Sequence, residues 1–94
     1  MLTYKAAYQE VDGQICAELL DFPGVVTFGA DWEEARRMLA SALVTMAETS
    51  LMMGEPLPRP DPTRTDPDAD LEEPIFLLLS AASKVAVVPQ GAVA

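Results

Sequence analysis

Carboxylates are the only side chains in this chain abundant enough to carry acid–base or metal chemistry. Fifteen of the 94 residues are Asp or Glu, histidine is absent, and Cys16 is the one cysteine. Without histidine there is no Ser-His or Cys-His nucleophile pair, no imidazole base and no ordinary zinc or transition-metal ligand set. A single cysteine makes no intramolecular disulfide, and the position of Cys16 in an apolar run suggests a small buried hydrophobe more than a reactive thiol. The densest set of carboxylates is Asp66, Asp68 and Asp70 with Glu72 and Glu73. Its oxygens at alternate positions superficially suit Ca²⁺, but the central glycine and the correctly spaced terminal Glu of such a loop are missing. The run reads as a solvated linker or as an arm that folds across a basic partner.

Charge narrows the partners. The formal net charge is −9, of which −5 falls between residues 54 and 74, where seven acids face two arginines. Direct nucleic-acid binding needs the opposite sign, whereas a basic protein partner is favoured. Half the residues are hydrophobic, as in an ordinary globular chain. No apolar run approaches the roughly 18 residues of a membrane span, and the N-terminus has no basic leader followed by an apolar stretch. A single domain over residues 1–94 in the cytoplasm, with no membrane segment and no cofactor, is the default expectation.

The elements that would position these groups are legible in order. Leu2, Tyr4, Ala6 and Tyr8 alternate with Thr3, Lys5, Ala7 and Gln9, the period of a half-buried strand over residues 2–9. Asp12-Gly13 then turns the chain into a second strand over residues 14–20, with Ile15, Ala17 and Leu19 on one face. After the Pro23-Gly24 turn, residues 25–28 form a third strand that Gly29 ends. Asp31 is placed to cap a helix, with Glu34 three residues later, and Trp32, Ala35, Leu39, Ala42, Leu43, Met46 and Ser50 or Met53 recur on one helical face. Glu33 and Arg37 are spaced as an i, i+4 pair, and Gly54 followed by Pro56 ends the helix.

Six of the eight prolines lie between Pro56 and Pro74, so residues 54–74 read as an acidic Pro-rich loop that cannot fold alone. Residues 75–79 are apolar but too short to decide between strand and helical turn. Residues 85–88 read as a strand and residues 90–94 as a loose tail. The expected class is α+β, an antiparallel three-stranded meander with one amphipathic helix on one face and a C-terminal strand. A right-handed crossover would set that last strand parallel to its neighbour, with the first strand the expected neighbour. The helix covers one sheet face; the other, carrying some of Tyr4, Tyr8, Cys16, Leu20 and Val25 depending on register, calls for solvent or a partner. That motivates a homo-oligomer, dimer or tetramer.

Phe22-Pro23-Gly24 before a strand ending Thr27-Phe28-Gly29, then Glu33-Glu34-Ala35 opening a helix and Gly54-Glu55-Pro56-Leu57-Pro58 after it, resembles the HicB-like antitoxin family. The resemblance covers residues 1 to about 60 and, loosely, the final strand. It implies a partial ribonuclease-H-like βββαβ fold whose usual task is to bind and neutralise a small basic HicA-type toxin, an RNA-cleaving protein. Many members continue into a DNA-binding domain, and the expectation here is a stand-alone member without one. The sequence also departs from the family at Val25, where a cysteine is common, and at Ala30, where an acid is common.

A ribonuclease-H-like fold raises the question of two-metal catalysis, which needs several converging carboxylates. Residues 2–9 hold no acid, and Glu34 and Glu48 have structural explanations as a helix cap and a solvated face. A non-enzymatic binding module is therefore expected, with an orphan oligomeric module for another protein or a small-molecule partner as the alternative. The residues assigned to partner binding are Asp21, Phe22, Trp32, Arg36, Asp66, Asp68 and Asp70. Trp32 is either an interface anchor or core packing, and Met38, Met46, Met52 and Met53 are either an adaptable surface or core filling.

Overall fold

Strict alternation across a two-residue turn builds the first hairpin. In the computed structural model, which describes residues 2–79 and 85–88, β1 (Leu2–Val11) and β2 (Gln14–Leu19) pair antiparallel. Asp12 and Gly13 join them with φ of 51° and 79°. Positive φ at both turn positions matches the right-handed twist of the strands. Ala6 lies opposite Leu19 and Tyr8 opposite Ala17, so Tyr4, Ala6 and Tyr8 share one buried face with Ile15, Ala17 and Leu19.

The chain turns through Phe22 and Val25, both buried, into the short edge strand β3 (Val26–Gly29), which pairs with β2. Val25 lies in the turn, not the strand, and its carbonyl accepts the Leu19 N–H at 3.0 Å. Gly29 sits against the helix: a Cβ there would lie 2.4 Å from the backbone nitrogen of Ala35 and 2.7 Å from its Cα. Only a residue without a side chain lets the strand approach the helix backbone this closely.

The helix α1 (Trp32–Met52) buries Ala35, Leu39, Leu43 and Ala47, one residue per turn. Trp32, Ala42 and Met46 pack beside them, whereas Met38, Met52 and Met53 are exposed. Asp31 Oδ1 accepts the Glu34 N–H at 2.8 Å, as expected of the cap. Glu34 reaches back to the N–H of Ala30, at 3.0 Å, one residue earlier than in a reciprocal capping box. At the other end Gly54 (φ 72°) donates to Leu51 O and Glu55 to Ser50 O, the paired bonds of a Schellman ending.

The second half of the sheet departs from expectation. Residues 75–79, left undecided by their sequence, belong to a longer strand, β4 (Leu71–Leu79), and β5 (Val85–Val88) follows it. The sheet order is β3-β2-β1-β4-β5, antiparallel throughout. The strand beside β1 is thus β4, antiparallel to it, and the expected parallel strand is a correction. The reason lies in residues 54–70. They run back along β1, from Tyr4, whose hydroxyl donates to Pro58 O at 2.7 Å, to Tyr8, whose carbonyl accepts the Asp70 N–H at 2.8 Å. The chain therefore enters β4 from the far end of β1. Residues 90–94, read as a tail, lie outside the described residues.

Pro74 sits inside β4 opposite Lys5. Lys5 turns its own N–H and carbonyl toward Asp21 and Leu20. The Lys5–Pro74 pair is therefore a non-hydrogen-bonded one, and the proline nitrogen faces the side where β5, paired from Phe76 onward, does not reach.

Candidate functional site

Three groups of side chains hold the chemistry expected of a binding site, and the first of them is spent on the fold. Asp21 is 5% exposed. One carboxylate oxygen accepts the Lys5 N–H at 3.0 Å and the other the Asp61 N–H at 2.9 Å. Asp21 thus fills the ladder position that β2 vacates where it turns away, and at the same point ties down the 54–70 arm. Phe22 is buried too, its ring 5.2 Å from that of Tyr4. The sequence puts both among the partner-binding residues; the structure buries both, with the Asp21 carboxylate holding β1 and the arm together.

The arm itself is ordered by polar contacts with the sheet. Lys5 Nζ donates to Pro62 O at 2.9 Å and Arg64 O at 2.8 Å, and pairs with Glu72 at 3.6 Å. Since Lys5 points away from α1, the arm crosses the outer face there. Asp66 Oδ1 accepts the Asp68 N–H, Asp70 Oδ2 accepts the Glu10 N–H, and Glu72 Oε2 accepts the Asp66 N–H. Asp66, Asp70 and Glu72 of the acidic run thus each take a separate backbone donor, and Glu73 takes Arg36. Among the described residues no group of three or more His, Cys, Asp or Glu is placed to hold a metal ion. Asp68 and Asp70 remain exposed and Asp66 half-buried.

The second group joins helix to sheet. Arg36 clasps Glu73 of β4 with two hydrogen bonds, at 2.8 and 3.2 Å, and its guanidinium lies 5.8 Å from the centre of the Tyr8 ring. Trp32 meets Tyr8 edge-on at 5.9 Å. Trp32 is half-buried, so core packing accounts for most of its surface, and Arg36 is 42% exposed at the side chain but already paired. Arg37 pairs with Glu34 at 3.8 Å, not with the expected Glu33. The i, i+3 neighbour thus takes the place of the expected i, i+4 partner, and Glu34 divides its two carboxylate oxygens between Ala30 N–H and Arg37.

Burial first, then a hydrogen bond to Glu73 and its negative charge, push the Tyr8 hydroxyl well above the ordinary tyrosine value of 10, with Arg36 acting weakly the other way. The folded chain thus holds the phenol proton more tightly than the unfolded chain does. Stability is level below about pH 10 and declines as the pH rises beyond it, because ionisation is then favoured in the unfolded state. Urea midpoints followed between about pH 8 and about pH 11 will show this decline, and Tyr8→Phe will make it shallower, leaving the part due to Tyr4, whose hydroxyl is also pushed up by burial and by Asp21. An unchanged slope in the variant would place the titration elsewhere.

The third group was missed from sequence. Val26 and Phe28 are 50% and 54% exposed on the sheet face away from α1. Cys16 stands opposite Phe28, half-buried on that same face, its thiol pushed up by burial and by the charge of Glu18. The signal was present in the alternation of residues 25–29. It was unreadable because the strand's two faces cannot be assigned until the register against β2 is known.

No family model and no curated protein sequence matches the chain. A solved structure does: the N-terminal domain of the Burkholderia pseudomallei antitoxin HicB, at 20% identity and a TM-score of 0.67, over 83% of this chain and 100% of that one. This chain therefore has the α+β fold of that domain, with one helix packed on an antiparallel sheet. Among the described residues no helix is long and apolar enough to cross a membrane.

Proposed function

We propose that this chain is an antitoxin-type binding module of the HicB kind, which neutralises a small, basic, RNA-cleaving toxin of the HicA type by covering its working surface. The observation that carries this is the shared fold, which spans the whole of the HicB N-terminal domain. Charge supports it independently: a chain of net −9 attracts a basic RNA-binding protein and repels RNA itself. The carboxylates support a non-catalytic role, since those of Asp21, Asp66 and Asp70 are occupied by backbone donors. Of the residues first assigned to the partner, Trp32, Arg36, Asp66, Asp68 and Asp70 stay as rim contacts within this proposal. The chain works in the cytoplasm, where such a toxin would meet its RNA, and assembles with copies of itself.

Capture from native lysate on the tagged chain, at low and at high salt, tests the proposal. The expected result is a small basic partner in stoichiometric amount, released by salt, whose RNA cleavage stops when the chain is added back. Recovery of the chain alone would instead favour an oligomeric module with another ligand.

A further inference from the structure

β3 is the last strand of the sheet, and among the described residues nothing pairs with its far edge. Folded domains blunt such edges by keeping them short or with Lys, Pro or a bulge, and Val26–Gly29, though short, has no charged residue and no proline. It carries Phe28 and Val26 outward instead, with Cys16 and Glu18 of β2 directly beside them. An open strand edge with two exposed apolar side chains side by side on one face offers backbone donors and apolar contact to a partner at the same place.

The surrounding charge says what covers it. Residues 6–35 contain seven acids and neither lysine nor arginine. Asp21, Asp31 and Glu34 are engaged by backbone N–H groups or by Arg37. Glu10, Asp12, Glu18 and Glu33 form no ion pair among the described residues. Glu18 lies opposite Val26, and Glu33 opens the helix just past the end of β3. A second copy meeting this patch through the same face would bring like charges together, and nucleic acid is repelled by the same carboxylates.

We propose that the open edge and outer face of β3, centred on Phe28 and Val26, is the docking surface for a basic protein partner. The partner sets an apolar side chain against Phe28 and Lys or Arg side chains against Glu18 and Glu33. This rests on the binding-module role proposed above and names the face that performs it. The apolar centre controls dissociation, while the free carboxylates chiefly speed association.

The test uses the full chain and four variants: Phe28→Ser, Val26→Ser, Glu18→Lys and, as a control on a distant exposed residue, Met52→Ser. Each is used to capture protein from native lysate, and the partner identified by mass is purified and titrated against each. Phe28→Ser is expected to weaken binding by about tenfold or more, the loss of a central aromatic contact. Val26→Ser is expected to weaken it less, and Glu18→Lys to slow association at low salt with little effect at high salt. Met52→Ser should bind as the unsubstituted chain does. Melting temperatures close to that of the parent chain separate lost contact from lost folding, and Val26→Ser keeps the test open if Phe28→Ser folds poorly. Equal binding of a basic partner by Phe28→Ser and Val26→Ser would overturn the docking face and leave the module role standing. Failure of the unsubstituted chain to hold any basic protein would overturn both, and recovery of its own copies alone would replace the basic partner with a second subunit.

Discussion

Leu39→Ala will cost about 2 to 5 kcal/mol of folding stability, the range for truncating a fully buried leucine. Leu39 is 0% exposed and sits at the centre of the helix face that packs on the sheet. Its neighbours on that face are Ala35, Leu43 and Ala47. Two of the three are alanines, too short to fill the space that a leucine would leave. The site will therefore collapse poorly, and the loss should fall in the upper part of the range. A domain of this size has only about 5 to 15 kcal/mol in total, and the loss corresponds to about 10 °C or more in melting temperature. Met38→Ala, on the same helix but 45% exposed, is the control and should shift stability by less than about 0.5 kcal/mol. Urea denaturation of both variants decides it: equal midpoints would mean that the helix does not bury the face described.

Asp21→Ala will be comparably severe for a different reason. Its two carboxylate oxygens each accept a backbone N–H, from Lys5 in β1 and from Asp61 in the arm. Hydrogen bonds to a charged group contribute about 1.5 to 3 kcal/mol each, and removing the acceptor strands a donor inside the protein. A loss of about 3 to 5 kcal/mol follows if both donors stay dry, and less if water reaches the Asp61 side. The two cases separate experimentally. Arg64 is exposed in the folded chain, but its segment is held by the Asp61 pair and by its bond to Leu20 O at 3.2 Å, and detachment of the arm frees that backbone for a protease. Tryptic cleavage after Arg64 will accelerate in Asp21→Ala under native conditions, before global unfolding. Asp21→Asn will recover little, because its amide NH₂ would face one of the two N–H donors. Cleavage at the parent rate in both variants would show that the arm does not depend on this carboxylate.

These two residues also mark how far the sequence could be read. Leu39 was legible because helical period alone assigns a face: residues three and four apart must lie together whatever they pack against. The same local logic reached the Asp12-Gly13 turn, the Asp31 cap and the Gly54 ending, each of which depends on the conformation of a few adjacent residues. Asp21 looked like a turn carboxylate available to a partner. Its two donors lie 16 and 40 residues away in sequence, and no local pattern announces them. The acidic Pro-rich segment misled in the same way. Its composition correctly said that it cannot fold alone, yet that says nothing about a sheet already carrying Lys5, Tyr4 and Asp21 at the places where its carbonyls and N–H groups arrive.

The class of the domain, its first three strands, its helix with both ends and its own acidic balance are legible in the sequence, since all of these follow from nearest-neighbour conformation or from summed charge. Only the tertiary structure decided that β4 returns antiparallel to β1, that Tyr4 and Tyr8 lie beneath the helix, and that Phe28 and Val26 stand on an open edge. Strand direction depends on the route of the arm, and the face of each side chain depends on register, where a shift of one residue exchanges inside for outside. Both are set by contacts between residues far apart in the chain, after each local element has already formed its pattern.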